Sequence, residues 1–149
     1  MACIGLISDT HGLLRPQALV ALEGVDRILH AGDVCGDDIL DALSALAPAL
    51  AVGGNCDDDP RLPDHRLEVI EGVRILLHHG HLRVDEAAHR PDVVVTGHTH
   101  VPRVVTEDGI LRVNPGSAGP RRFNLPVTVA RLTLRDGRAA AELVELDVR

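Results

Sequence analysis

Through its first fifty-five residues the chain alternates short apolar runs with stretches of helical period. "CIGLIS" (3–8) reads as a buried strand. "RPQALVALEG" (15–24) carries apolar residues at 18, 19 and 22, with Pro16 near its start and Gly24 as a stop signal, and "DRILHAG" (26–32) is a second strand. "DDILDALSAL" (37–46) has an apolar stripe at 39, 40, 43 and 46 with Asp37 or Asp38 as the expected N-cap, and "ALAVGGN" (49–55) is a third strand. This β-α-β-α-β order calls for a parallel sheet with right-handed crossovers.

The second half changes character. "HRLEVIEGVRILLHHG" (65–80) is a hairpin about a Glu-Gly turn, a short helix is expected near 84–89, and "PDVVVTG" (91–97) is another buried strand. Further hairpins are expected about Asp108-Gly109 and Asp136-Gly137. The fold class is therefore mixed α/β, with antiparallel hairpins following the parallel units. At 149 residues, with no repeat, low-complexity tract or linker, residues 1–149 read as one domain.

Composition excludes several function classes. The core must be Val, Leu, Ile and Ala, because the chain holds one Phe and no Trp or Tyr. That leaves no stacking platform for single-stranded nucleic acid. All fifteen basic residues are arginine and the net charge is −7, so no strong general nucleic-acid binding is expected. Three cysteines do not make a disulfide framework and suggest a reducing interior. No charged-then-apolar leader is visible and no apolar run approaches the ~18 residues of a membrane span, so the expected setting is the cytoplasm, without a membrane partner.

Residues with ligand chemistry gather where strands end. "SDTHG" brings Asp9 and His11, "HAGDVCG" brings His30 and Asp33, and "VGGNCDDD" brings Asn55, Cys56 and Asp57. "LLHHGH" adds His78, His79 and His81, and "VVVTGHTH" adds His98 and His100. The carboxyl ends of parallel strands share one rim, so these five loops meet there. Singly, each has an ordinary explanation: Asp33 as a helix cap, Asn55 as a turn residue, Asp9 and His11 as a solvated turn. Their succession at strand ends points instead to metal. Carboxylate, amide oxygen and imidazole without a thiolate cluster suit Mn²⁺, with Fe, Ni or Zn as alternatives. A glycine beside each group (Gly12, Gly32, Gly54, Gly80, Gly97) is expected to let the backbone turn sharply and approach the ions. Seven ligand groups exceed what one ion takes while keeping a water, so two divalent ions sharing a carboxylate fit the count.

"DTHG", "GDVCG", "GNCD", "HHGH" and "GHTH", in that order, resemble the five motifs of the calcineurin-like metallophosphoesterase superfamily, and "NPGSAGPRR" (114–122) resembles a segment of its small YfcE-type phosphodiesterases. The resemblance runs from Asp9 to Arg122. It implies a four-layer sandwich of two mixed β-sheets flanked by helices. It implies that Asp9, His11, Asp33 and His100 hold one ion and that Asp33, Asn55, His79 and His98 hold the other. A hydroxide bridging the ions would attack a small phosphate-ester substrate. His79, immediately before the glycine, is the implied ligand of "HHGH". His78 would point to the other face of its strand, and His81 would reach substrate or solvent. His30, His65 and His89 read as ordinary structural residues.

Many phosphomonoesterases of the superfamily have a leaving-group acid, a His, where this chain has Cys56. A thiol of ordinary pKa, about 8.5, is a poor replacement, so Cys56 is either near the chemistry or a small buried filler. Asp57 is expected to orient a ligand. Arg121 or Arg122 would bind substrate phosphate or else be solvated. Only 23 residues separate Asn55 from His79, too few for a covering cap. The rival function is a protein-interaction scaffold like the retromer subunit of this fold, with a vestigial metal site. A storage or sensor role is weaker, and self-association is left open.

Overall fold

The computed structural model describes residues 1–148. Its elements run β1 (Ala2–Ile7), α1 (Pro16–Ala21), β2 (Arg27–His30), α2 (Asp37–Leu46), β3 (Ala49–Ala51), β4 (His65–Ile70), β5 (Val73–His78), α3 (Glu86–His89), β6 (Val93–Val95), β7 (Arg103–Glu107), β8 (Ile110–Asn114), β9 (Thr128–Arg135) and β10 (Arg138–Glu145). They form two five-stranded mixed sheets, β10-β9-β1-β2-β3 and β4-β5-β6-β8-β7. In the first, β1, β2 and β3 are parallel while β9 and β10 run antiparallel. In the second, β5, β6 and β8 are parallel, and β4 and β7 are antiparallel edges.

Alternation along the strands builds two cores. Ile4, Leu6 and Leu29 from the first sheet meet Ile75, Leu77, Val93 and Val95 from the second, forming the layer between the sheets. Ile7, Ile28 and Val129 turn outward from the first sheet, where Ala18 of α1, Leu22 at its C-terminal end, and Ile39 and Leu43 of α2 cover them. The outer layer of the second sheet is thin. It is one turn, α3, tied across the sheet by Glu86, which reaches His78 of β5 at 3.1 Å and Arg112 of β8 at 2.9 Å. The four layers are those expected, with the fourth reduced.

Several boundaries move. Helix α2 begins at the expected residue but is preceded by Gly36, which makes no side-chain cap; Asp37 and Asp38 occupy the first turn, where their charge favours the helix dipole. Helix α1 ends at Ala21, short of Gly24, which takes a positive φ in the following turn. Strand β3 has three residues, because the chain turns away early to deliver Asn55. Among the described residues no helix is long and apolar enough to cross a membrane.

Candidate metal centre

All six parallel strands end on one rim. The loops after β1, β2 and β3 bring Asp9 with His11, Asp33, and Asn55; those after β5 and β6 bring His79, and His98 with His100. The donor atoms fall into two lobes. In one, His11 Nε2 lies 3.4 Å from His100 Nε2, and His100 Nε2 lies 3.3 Å from Asp9 Oδ1. In the other, Asn55 Oδ1 lies 3.0 Å from His79 Nε2 and 3.0 Å from His98 Nδ1. Asp33 Oδ2 stands between the lobes, 3.5 Å from His11 Nε2 and 3.3 Å from His79 Nε2.

These residues fit divalent cations. Donors bound at about 2.0–2.2 Å around one ion sit roughly 3–3.5 Å apart, which is the spacing seen here. Asp9 Oδ1 is fully buried and has no hydrogen-bond partner, an orphaned anionic acceptor aimed into the first lobe. The triads Asp9–His11–His100 and Asp9–Asp33–His79 each bring one donor atom per residue close enough to share an ion.

The surrounding bonds fix which atom faces the centre. His79 Nδ1 is 2.8 Å from the Ala31 carbonyl and donates to it, so Nε2 carries the lone pair. Asp9 Oδ2 accepts from Ser8 Oγ at 2.6 Å and His98 N at 3.1 Å, leaving Oδ1 for the lobe. Asp33 Oδ1 accepts from Cys56 N at 2.8 Å, leaving Oδ2 to face both lobes. Burial holds His100 below its ordinary imidazole pKa; Asp9 pulls the other way and Arg122 adds to the depression.

The backbone is strained here. Asp9, His11, Asp33, His98 and His100 all have positive φ, between 46° and 72°, a region that non-glycine residues enter rarely and at a cost. Three of the glycines expected to turn here do so, Gly12, Gly32 and Gly80 at φ 80°, 106° and 101°, and the five site residues share that region with them. Gly54 and Gly97 keep ordinary φ and serve close approach instead. A Cβ on Gly54 would strike the Asp33 carboxylate, and one on Gly97 would strike Ser8 Oγ and come within 2.7 Å of Asp9 Oδ2.

Residues 3–137 match the family model of the calcineurin-like phosphoesterase superfamily domain. The chain belongs to that superfamily. A probable metallophosphoesterase of Methanothermobacter thermautotrophicus is 39% identical over 146 residues, covering 87% of this chain and 85% of the relative. The phosphodiesterase YfcE of Escherichia coli is 31% identical over 154 residues, covering 84% of each. Vps29 of Chaetomium thermophilum shares the fold with a TM-score of 0.81 at 18% identity, over 97% of both chains.

The other residues singled out in this phosphoesterase sequence divide by position. His81 packs beside the second lobe, its ring centroid 5.3 Å from that of His79, and burial lowers its pKa. His78 faces the other side of the sheet, on Glu86, as alternation predicts. Asp57 touches no ligand side chain. Its carboxylate accepts from the backbone of Val34 (3.2 Å), Cys35 (2.9 Å) and Gly54 (2.8 Å), stitching the Asp33 loop to the Asn55 loop. Cys56 is exposed, which removes its reading as a buried filler; what burial it has, and the neighbouring Asp33 carboxylate, raise its pKa. Arg121 donates to the Val148 carbonyl at 3.3 Å, pointing away from the centre, whereas the charge of Arg122 acts on both His100 and Cys56.

Three supporting groups went unassigned in sequence. His30, read as ordinary, is fully buried beneath the centre; it bonds Thr10 Oγ1 at 3.0 Å and accepts from Gly32 N at 3.1 Å. Thr10 Oγ1 donates to Val34 O, so His30 Nε2 carries the proton toward Thr10. Asn114 Nδ2 holds the Gly97 carbonyl at 3.0 Å, and Ser117 Oγ holds the Asp9 carbonyl at 3.0 Å. The only signal for the last two was the family-like segment that contains them.

Proposed function

We propose that this chain is a metal-dependent phosphodiesterase that hydrolyses small phosphate esters at two divalent ions, Mn²⁺ foremost, in the cytoplasm. The observation that carries the reading is the pair of donor lobes joined through Asp33 Oδ2, 3.5 Å from one imidazole and 3.3 Å from another. Asp9, His11, Asp33 and His100 would hold one ion, and Asp33, Asn55, His79 and His98 the other. Such ions neutralise phosphoryl charge and supply a hydroxide nucleophile from water at neutral pH.

The protein's own residues do the positioning. Asp33 fixes the separation of the two lobes. Ala31 sets the tautomer of His79, and Asp57 holds the two loops that flank Asp33 and Asn55 in register. Arg122, whose charge is felt at His100, would take a phosphate oxygen on that side, a bidentate donor with no proton to lose. Among the described residues no cap covers the centre: after Asn55 the chain forms a loop and then the β4–β5 hairpin. The centre is open where His98, Asn55 and Cys56 are exposed, which suits a diester with two arms and implies loose selectivity.

A scaffold reading draws on the likeness to Vps29, but at 18% identity that likeness carries fold alone. The seven donor side chains favour catalysis. The test is hydrolysis of bis(p-nitrophenyl) phosphate by purified protein, with bound metal counted by elemental analysis. Turnover that needs a divalent ion and is lost to a chelator is expected. A protein holding two ions per chain that cleaves nothing with Mn²⁺, Fe²⁺, Ni²⁺ or Zn²⁺ overturns the catalytic reading.

A further inference from the structure

We propose that Cys56 is a conditional metal ligand. Its thiolate would join the first lobe when a thiophilic ion such as Zn²⁺ or Co²⁺ occupies it and stand aside for Mn²⁺. The inference rests on the two-ion reading above and concerns a residue outside its seven donors. Three placements carry it. Cys56 Sγ, a ring nitrogen of His11 and a carboxylate oxygen of Asp33 all lie within 4.8 Å of one another, close enough to share an ion after a small rotation of an exposed side chain. The Cys56 backbone is anchored to the bridging group itself, its N–H donating to Asp33 Oδ1 at 2.8 Å. Asn55 Nδ2 donates toward Cys56 Sγ at 3.5 Å while Asn55 Oδ1 faces the second lobe, so a hydrogen-bond donor already awaits charge on the sulfur. The buried, partnerless Asp9 Oδ1 independently marks the first lobe as a cation site.

The chemistry discriminates between ions. Zn²⁺ and Co²⁺ take nitrogen and sulfur donors readily; Mn²⁺ prefers carboxylate, carbonyl and water. Binding forms one metal–sulfur bond and releases the thiol proton to solvent, one proton per ligated thiol. Cys35, the other exposed cysteine of the rim, directs its Sγ at the Cys56 carbonyl at 3.7 Å and joins no donor group with the ligands, so it serves as the control.

The experiment loads the whole chain with Co²⁺ and records its near-ultraviolet spectrum. A thiolate-to-cobalt charge-transfer band is expected in the wild type and in Cys35→Ser, and absent in Cys56→Ser. Cys56→Ser should weaken Zn²⁺ binding about tenfold or more while leaving Mn²⁺ affinity within about twofold. A measurement on the unaltered protein guards against a variant that fails to fold: Zn²⁺ should slow alkylation of Cys56 but not of Cys35, and Mn²⁺ should slow neither. A wild type that binds cobalt without the band, or Zn²⁺ affinity unchanged in Cys56→Ser, overturns the role of Cys56 and leaves the two-ion reading standing. A chain that takes up no metal overturns both.

Discussion

Asp33 is the residue on which the centre turns. One of its oxygens is held by the Cys56 amide and the other faces both lobes, so Asp33→Asn keeps the volume but removes the charge between the lobes. Expected is a loss of diesterase activity of at least about a hundredfold with fewer metal ions bound per chain, read by kinetics and elemental analysis. Retained activity would refute the bridge. His30 supports the site from below and has its own signature. Burial lowers its pKa from 6.5 to about 4. Above pH 6.5 both folded and unfolded forms are neutral, and the fold is at full strength. As pH falls from 6.5 toward 4 the unfolded imidazole takes a proton that the buried one refuses, so stability declines. Denaturant titrations of metal-free protein should show wild type losing about 2 kcal/mol more than His30→Gln between pH 7 and 5. Equal slopes would mean that His30 is protonated in the fold.

Strands do most of the positioning, and the shortest ones matter beyond their size. β6 has three residues, all buried, and delivers His98 and His100; β5 delivers His79. Leu77 lies in the layer between the sheets, two residues before His79, with no exposure. Leu77→Ala leaves a cavity there and should cost about 3 kcal/mol in urea unfolding of the metal-free protein. It should also weaken metal binding, because the β5 end that aims His79 Nε2 is less well held. A variant with full metal affinity and wild-type stability would show that the β5–β6 pairing alone fixes the loop. At this scale the sequence was a good guide. Alternation and turn residues located the hairpins at Asp108-Gly109 and Asp136-Gly137, and the stripe at 39, 40, 43 and 46 located α2, though its cap is Gly36 and not Asp37 or Asp38. What it could not show was where strands stop: β3 reads as a strand to Asn55, yet bends away at Ala51 because loop geometry overrides apolar character. The seven side chains that meet on the rim were legible because Asp, Asn and His are chemically distinctive. Asn114, Ser117 and the carboxylate of Asp57 act on backbone atoms, and nothing in a side chain announces which distant carbonyl or amide it will meet.

For the whole molecule, the centre is a fault line that a bound metal would close. Both sheets contribute donors to it, and without a cation it concentrates the buried carboxylates of Asp9 and Asp33, themselves two of the five site residues held at positive φ. Each of those is a cost that the rest of the fold carries. A cation reverses the balance, since it binds the folded state and finds no assembled site in the unfolded one. Linkage then sets the size of the effect. At a free Mn²⁺ concentration a hundred times the dissociation constant, one site adds about 2.7 kcal/mol, which for a chain of this length is roughly 5–10 °C in Tm. Thermal scans should therefore rise by at least that amount, and by about twice as much if both lobes fill, on going from chelator to saturating Mn²⁺, and continue to climb with metal concentration. Asp33→Asn, with its bridge gone, should show a markedly smaller rise from a metal-free Tm equal to or above that of wild type, because it relieves the repulsion between carboxylates. A Tm indifferent to Mn²⁺ would mean that the lobes are satisfied by their own hydrogen bonds, and that the orphaned Asp9 oxygen has found a partner other than metal.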